Sequence, residues 1–219
     1  MADHEVRTQV VLVLPASAGS GAALARCAAE AARVAPVATV ILELDPENPV
    51  AAPELAPAVE QIQALGLATL IAGDAALARV VKADGVHIPA SKSVAAAFYE
   101  AREILGARSI AGIDVGRTRH DAMTLAEEGA DYIAFGIPAH VEDRETARNR
   151  RLELIAWWSE IFEIPCIACD VDTPDDARDL AEAGADFIAV RVPAAVMENG
   201  VADFLSPFAA AISAHRPAA

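Results

Sequence analysis

The chain has 219 residues, with 17 lysines and arginines against 32 aspartates and glutamates, which gives a formal charge of −15. This charge argues against a nucleic-acid partner and an anionic membrane surface, because both are bound through lysine and arginine. Hydrophobic residues make up 54% of the chain, enough for one large core without disulfides or structural metals. No apolar run reaches the roughly 20 residues of a membrane span, so we expect a cytoplasmic protein.

Short apolar, β-branched segments alternate with alanine-rich amphipathic segments along the whole chain, and no stretch has the composition of a linker. The predicted strands are residues 10–14, 37–43, 68–72, 85–88, 109–113, 132–136, 166–169 and 187–192. The predicted helices are residues 20–34, 53–65, 74–81, 94–105, 118–128, 148–162, 174–183 and 201–215.

Eight strand–helix units with continuously apolar strands are typical of a parallel sheet that is covered by helices on its outer face. We therefore predict an α/β protein, a single (β/α)8 (TIM) barrel over residues 1–219. An open doubly wound sheet is the alternative, but residues 15–21 (PASAGSG) lack the Gly-x-Gly-x-x-Gly spacing that such sheets carry after their first strand.

An internal repeat supports the barrel. Ala-Asp precedes and Pro-Ala follows strands four, six and eight, which begin after Asp84, Asp131 and Asp186. Alternate strands of a barrel contribute to the same interior layers, which gives even-numbered strands a reason to resemble one another.

Cys166 and Cys169 form a Cys-x-x-Cys motif on the seventh predicted strand. Residues three apart on a strand point to opposite faces, so we expect two buried thiols rather than a redox pair or a zinc site.

The working site of such a barrel lies just beyond the carboxyl ends of its strands. Asp74, Asp114 and Asp170 follow strands three, five and seven, and we predict them as catalytic residues that face one another. Asp74 and Asp114 are also candidate ligands for a divalent cation such as Mg²⁺, which prefers oxygen donors. The alternative is that each aspartate caps the helix that follows it.

Lys92, Gly136, His140 and Arg191 lie at the same end of the predicted barrel and are candidate ligand-binding residues. Arg191 interrupts an apolar strand, so we expect it to bind an anion at the rim or to pair with Asp170. The charged segment 139–151 is predicted as a long loop, either an active-site lid or simply solvated. His87, inside strand four, is expected to be a hydrogen-bonded core histidine.

Five segments carry a resemblance to a known family. They are residues 83–88 (ADGVHI), 109–113 (SIAGI), 128–136 (EGADYIAFG), 164–168 (IPCIA) and 183–190 (AGADFIAV). On these segments the chain resembles the thiamine phosphate synthases and their thiazole tautomerase relatives. The resemblance implies a barrel and a transferase of thiamine biosynthesis, which joins a pyrimidine diphosphate to a thiazole phosphate with Mg²⁺ on the pyrophosphate.

Several positions that serve this chemistry in the family hold other residues here. The family's Gln-x-Arg-x-Lys after strand two reads LELDP at residues 42–46, which replaces cations by acids. Its Asn-Asp pair after strand three reads Gly73-Asp74, and Lys92 stands where an acid is expected.

The second half of the barrel departs from the family's motifs in the same way. The family's Ser-x-His after strand five reads DVG at residues 114–116, and its Thr-x-Thr-Lys is absent from residues 138–143. Its Gly-Gly after strand seven, which offers backbone N–H groups to phosphate, reads Cys169-Asp170. The resemblance therefore predicts the fold more firmly than the reaction.

Three hypotheses remain open from the sequence. The chain is a synthase-like enzyme with a changed site, a diverged barrel that uses an acidic rim on a neutral or cationic small molecule, or a catalytically silent binding or scaffold protein. A small-molecule ligand is the expected partner under the first two, and self-association is left open.

Overall fold

The computed structural model describes residues 8–138 and 140–214, which form a closed barrel of parallel strands paired in chain order, with β8 returning to β1. The strands are β1 Gln9–Pro15, β2 Val37–Glu43, β3 Ala68–Ala72, β4 Gly85–Ile88, β5 Ile110–Asp114, β6 Tyr132–Phe135, β7 Cys166–Ala168 and β8 Phe187–Arg191. The predicted (β/α)8 barrel is confirmed, and the open sheet is ruled out by the β1–β8 pairing.

The helices surround the strands. They are α1 Gly21–Val34, α2 Ala52–Gln63, α3 Ala75–Val81, α4 Val94–Leu105, α5 Arg119–Glu127, α6 Arg144–Ile161, α7 Pro174–Glu182, α8 Ala194–Asn199 and α9 Val201–Ala214. Within the described ranges, no helix is long and apolar enough to cross a membrane.

Two predictions about helices were wrong. Helix α8, between β8 and α9, was not predicted, because its six residues show too little periodicity to separate them from a loop. Helix α6 begins at Arg144 rather than at residue 148, because the Asp143 carboxylate accepts a hydrogen bond from the Thr146 N–H at 3.0 Å and caps the helix there. Most of the segment predicted as a long loop or lid is therefore helical.

The core has two layers, because successive side chains of a strand point to opposite faces. One face of each strand packs against the helices, where Phe98, Phe135 and Trp158 are fully buried. The other face fills the lumen with a smaller cluster, built mainly from Val11, Ile41, Leu70, Tyr132, Ala134, Ile167 and Ala189.

The Ala-Asp repeat holds the strands together at their amino-terminal ends. Asp84 accepts a hydrogen bond from the Thr69 N–H at the start of β3, and Asp131 accepts one from the Ala111 N–H of β5, both at 2.7 Å. Asp186 does the same for the first residue of β7 at 2.8 Å. Each repeated aspartate thus fixes the neighbouring odd-numbered strand, so its role is structural.

Cys166 and Cys169 lie on opposite faces of the barrel wall, as predicted. Cys166 packs among the residues between sheet and helices, whereas Cys169 packs against the lumen cluster. Both thiols are free, and burial raises the pKa of Cys169 well above its ordinary value.

Candidate functional site

The lumen opens at the carboxyl ends of the strands in a cavity that we call the mouth pocket. Its volume is about 110 Å³, and it is lined by Val13, Ile41, Glu43, Ala72, His87, Pro89, Asp114, Cys169, Asp170, Ala189 and Arg191. Strand register explains these charged linings: Glu43 and Arg191 lie two residues beyond the lumen-facing Ile41 and Ala189, and Asp114 lies four residues beyond Ile110, so each shares the lumen face of its strand.

The pocket floor is a hydrogen-bonded histidine and tyrosine. His87 Nδ1 lies 2.9 Å from the Tyr132 hydroxyl oxygen, and the two rings stack. Residue 112 must be glycine, because a Cβ there would lie 1.9 Å from Tyr132 Cζ. Burial lowers the pKa of His87 to about 4, so the ring is neutral at neutral pH. The prediction of a hydrogen-bonded core histidine is confirmed.

Asp114 and Asp170 converge over Gly136, which follows β6. A Cβ at residue 136 would lie 2.5 Å from Asp114 Oδ2 and 2.8 Å from Asp170 Oδ2. Asp114 Oδ1 accepts hydrogen bonds from the Gly116 N–H at 2.7 Å and the Gly136 N–H at 3.1 Å. Asp170 Oδ2 accepts one from the Ile137 N–H at 2.7 Å. Glycine at 136 therefore makes room for two carboxyl groups.

The carboxyl pair has unusual electrostatics. The pKa of Asp114 is raised from 3.8 to about 6, mainly by burial and in part by the negative charge of Asp170, while the hydrogen bonds from Gly116 and Gly136 limit the net rise. Both protonation states of Asp114 are accessible near neutral pH, which suits a group that exchanges protons.

Arg151 was not predicted as part of the site, yet it holds the turn that carries Asp170. Its guanidinium, fully buried under β7, makes two hydrogen bonds to the Asp176 carboxylate at 2.7 and 2.6 Å. It also donates to the carbonyl of Asp170 at 2.8 Å and to that of Cys169. On α6 it lies three residues before Leu154 and seven before Trp158, so helical periodicity puts all three on the same buried face. This spacing is the signal in the sequence that could have identified it.

That turn has an uncommon backbone. Asp170 has φ 56°, a left-handed conformation that a non-glycine residue adopts at a cost of about 1 kcal/mol or more. The turn directs the carboxylate of Asp170 toward Ile137 and Asp114, beside β6, and away from β8.

The predicted pairing of Arg191 with Asp170 was wrong. Arg191 instead makes its ion pair with Glu43. Strands β2 and β8 both pair with β1, whose residues at this level are uncharged, so the two side chains meet across one intervening strand. The left-handed backbone of Asp170 turns its carboxylate away from Arg191 and toward the Ile137 N–H.

Asp74 does not join the other two aspartates. Its Oδ1 accepts a hydrogen bond from the Leu77 N–H at 2.8 Å and so caps α3, and its side chain lines a separate cavity between α3 and α4. In the part of the chain that the structure describes, no three His, Cys, Asp or Glu side chains are arranged to hold a metal ion. The arrangement of Asp74 and Asp114 therefore does not fit the Mg²⁺ that the resemblance implied.

Lys92 and His140 lie outside the mouth pocket. Both line a larger concavity of about 1090 Å³ that we call the rim groove, between the ends of β4, β5 and β6. Asp114 lines both cavities, so the groove and the mouth pocket are neighbours. Gly136 lies beside Asp114 at this boundary, and its lack of a side chain leaves space for the carboxyl group.

Gly136→Val is expected to destabilise the protein, because the added side chain would displace both carboxylates. Overpacking of this kind costs about 1–3 kcal/mol, and each kcal/mol lowers the Tm of a chain of this size by about 2–4 °C. Calorimetry on Gly136→Val should show this loss, with Ala90→Val on the exposed rim as the control. An unchanged Tm for Gly136→Val would contradict the packing at this position.

Comparison with known proteins agrees with the barrel fold and with the family resemblance of the five sequence segments. The profile of the family described as thiamine monophosphate synthase (TMP-TENI) matches residues 10–193. The chain belongs to this family. A thiamine-phosphate synthase of Hyphomonas neptunium is 33% identical over 189 residues, 84% of either chain. One of Erythrobacter litoralis is 42% identical over 143 residues, which are 63% of this chain and 66% of that protein.

Solved structures support the thiamine phosphate synthase fold. A thiamine phosphate pyrophosphorylase from Pyrococcus furiosus superposes with a TM-score of 0.70 at 19% identity, over 95% of this chain and 98% of that one. A geranylgeranylglyceryl phosphate synthase from Thermoplasma acidophilum gives 0.66 at 20% identity, over 95% and 94%. The matches to the first two curated synthases span only 66% and 61% of their lengths.

Proposed function

We propose that this thiamine phosphate synthase-like barrel binds a small molecule at its mouth and has diverged from the synthase reaction. In this proposal Asp114 is the proton-exchanging group, Asp170 is its partner, and Arg191 with Glu43 forms the opposite wall. The observation that carries the proposal is the pair of carboxyl groups over Gly136, because both of them line the mouth pocket.

The chemistry follows from the pair. A carboxyl group with a pKa of about 6 donates a proton to a ligand in its acid form and accepts one as a carboxylate, so it can act in either direction near neutral pH. The pocket holds about 110 Å³, which admits only a small part of a metabolite. The remainder of the ligand would therefore lie in the rim groove.

Divergence from the synthase is supported by charge. Glu43 and Asp170 stand at strand ends where the resemblance predicts cations and phosphate-binding glycines, and two unit charges 4 Å apart repel by about 4 kcal/mol near a protein surface. A diphosphate placed between these carboxylates would be repelled, and Asp74 is occupied as a helix cap.

Metabolite capture tests the proposal. Protein purified under native conditions should release a small molecule that mass spectrometry detects, and Asp114→Asn should retain at least tenfold less of it. Asp203→Asn, an exposed aspartate on α9, is the matched control and should retain the same amount as wild type. Absence of any released molecule, or equal retention by Asp114→Asn, would contradict the proposal and favour a silent scaffold.

The cytoplasmic location, the single-domain extent over residues 1–219 and self-association stay predictions.

A further inference from the structure

We propose that the outer side of helices α5 and α6 is a homodimer interface, on which a second copy of this chain packs about a twofold axis next to Met123. We call this surface the α5–α6 face and define it by Arg119, Met123, Glu127, Trp157 and Ile161. It lies on the outside of the barrel wall. The inference therefore goes beyond the proposed function and does not depend on the ligand of the mouth pocket.

The α5–α6 face exposes large apolar side chains. Met123 is 37% exposed and Ile161 is 60% exposed. Trp157 is half-buried, and the Arg119 guanidinium lies over its ring with Cζ 4.5 Å from the ring centroid. Aromatic residues, methionine and arginine are the types that protein interfaces favour over the rest of the surface.

These side chains form one patch across two helices. Met123 lies one helical turn after Arg119 on α5, and Ile161 lies one turn after Trp157 on α6. The two helices run in the same direction because they connect parallel strands of one barrel. Since Arg119 contacts Trp157, the following turn brings Met123 to the level of Ile161. Covering the patch would remove continuous apolar surface from water.

The order of residues along α5 is self-complementary. Arg119, Met123 and Glu127 are spaced four residues apart, so a cation, an apolar residue and an acid follow one another along one side of the helix. A twofold axis next to Met123 makes the α5 of a second copy run antiparallel. Arg119 of each copy then faces Glu127 of the other, and the two Met123 side chains meet at the axis.

The charges of this row have no partner within the chain. Among the ion pairs of residues 8–138 and 140–214, none involves Arg119 or Glu127. The contact with Trp157 leaves the guanidinium N–H groups of Arg119 able to donate to a carboxylate. A dimer about the twofold axis would satisfy both charges, and would do so twice.

The surroundings of the patch have the same polarity. Arg117 precedes α5, whereas Glu128 and Glu160 lie at the ends of α5 and α6, and all three side chains are exposed. Antiparallel pairing puts the basic end of each copy against the acidic end of the other, whereas parallel pairing would oppose like charges. Because each copy has a formal charge of −15, the copies repel each other as a whole, and association depends on this local match.

Sedimentation velocity of the full chain at about 0.1 mM and about 0.15 M salt tests the proposal. Wild type should sediment as a dimer, at twice the 22.8 kDa of one chain, with a Kd of about 10 μM or lower. Arg119→Glu and Glu127→Arg each oppose like charges at both contacts, so each should raise the Kd at least about a hundredfold. Both side chains are exposed, and equal melting curves would show that the variants fold.

An equimolar mixture of the two variants tests the twofold geometry. The Arg119→Glu chain has acids at both positions, and the Glu127→Arg chain has cations at both. Only a mixed dimer therefore has opposite charges at both contacts. We expect the mixture to dimerise although neither variant does so alone, and the double variant Arg119→Glu/Glu127→Arg to dimerise like wild type.

The matched controls are Arg79→Glu on α3 and Glu103→Arg on α4, which reverse exposed charges away from the α5–α6 face. They change the net charge as the two test variants do, and should leave the Kd within about twofold of wild type. A wild-type chain that sediments at 22.8 kDa would overturn the proposal and leave the face to another protein. A dimer that both single variants retain, or a mixture that stays monomeric, would overturn it as well.

Discussion

Arg151→Met is expected to lower the free energy of unfolding by about 3–5 kcal/mol, the usual cost of removing one partner from a buried ion pair. Arg151 is fully buried, and the Asp176 side chain is 14% exposed, so the remaining carboxylate would be left largely buried at the start of α7 without its two hydrogen bonds. The carbonyls of Cys169 and Asp170 would lose a donor as well. Methionine keeps most of the aliphatic volume, so the loss reports the polar contacts.

Urea denaturation at pH 7 measures this effect, and Arg150→Met is the matched control. Arg150 is the preceding residue of the same helix, but its pair with Glu153 is exposed, so its removal should change stability by less than about 0.5 kcal/mol. The double variant Arg151→Met/Asp176→Leu should recover part of the loss, because no buried carboxylate is left unpaired. A loss below about 1 kcal/mol in Arg151→Met would contradict the role assigned to it.

Asp114→Asn is expected to stabilise the protein at pH 8 and to lose this advantage at pH 4. The folded protein holds the Asp114 proton up to a pH of about 6, whereas the unfolded chain releases it near 3.8. The contribution of Asp114 to wild-type stability therefore falls as the pH rises from about 4 to about 6 and stays reduced above that. At about 1.4 kcal/mol for each pKa unit, the penalty at pH 8 approaches 3 kcal/mol.

Asparagine avoids this penalty and keeps the local contacts. Its side-chain oxygen can accept the bonds from the Gly116 and Gly136 N–H groups, and its amide can donate to Asp170. Urea denaturation at pH 4 and pH 8 measures the difference between variant and wild type, with Asp203→Asn, a change at an exposed aspartate on α9, as the matched control. A pH-independent difference for Asp114→Asn would show that Asp114 titrates at its ordinary pKa.

The barrel could be predicted from the sequence because each strand is a short β-branched run between amphipathic helices. Predicted and observed strands differ by one residue or less at each end. The Ala-Asp repeat was visible as well, although its purpose, the anchoring of β3, β5 and β7 by side-chain hydrogen bonds, needed the register of the strands.

The site was less predictable because local choices at Asp74 and Asp170 decide much of it. Asp74 follows its strand and precedes a helix, so it can either face the mouth or cap the helix, and its bond to the Leu77 N–H makes it a cap. Asp170 faces Asp114 because Arg151, which lies 19 residues earlier in the chain, fixes a left-handed turn. The pair of Arg191 and Glu43 follows from strand order, since β2 and β8 flank β1, and could have been predicted.

We propose that this member of the thiamine phosphate synthase family keeps the barrel but not the reaction. The most direct measurement is the rate at which purified protein joins the pyrimidine diphosphate and the thiazole phosphate in the presence of Mg²⁺. The Hyphomonas neptunium thiamine-phosphate synthase, assayed in parallel, is the positive control. We predict no thiamine phosphate above the enzyme-free background, and turnover on the order of 0.1 per second or faster would contradict the account.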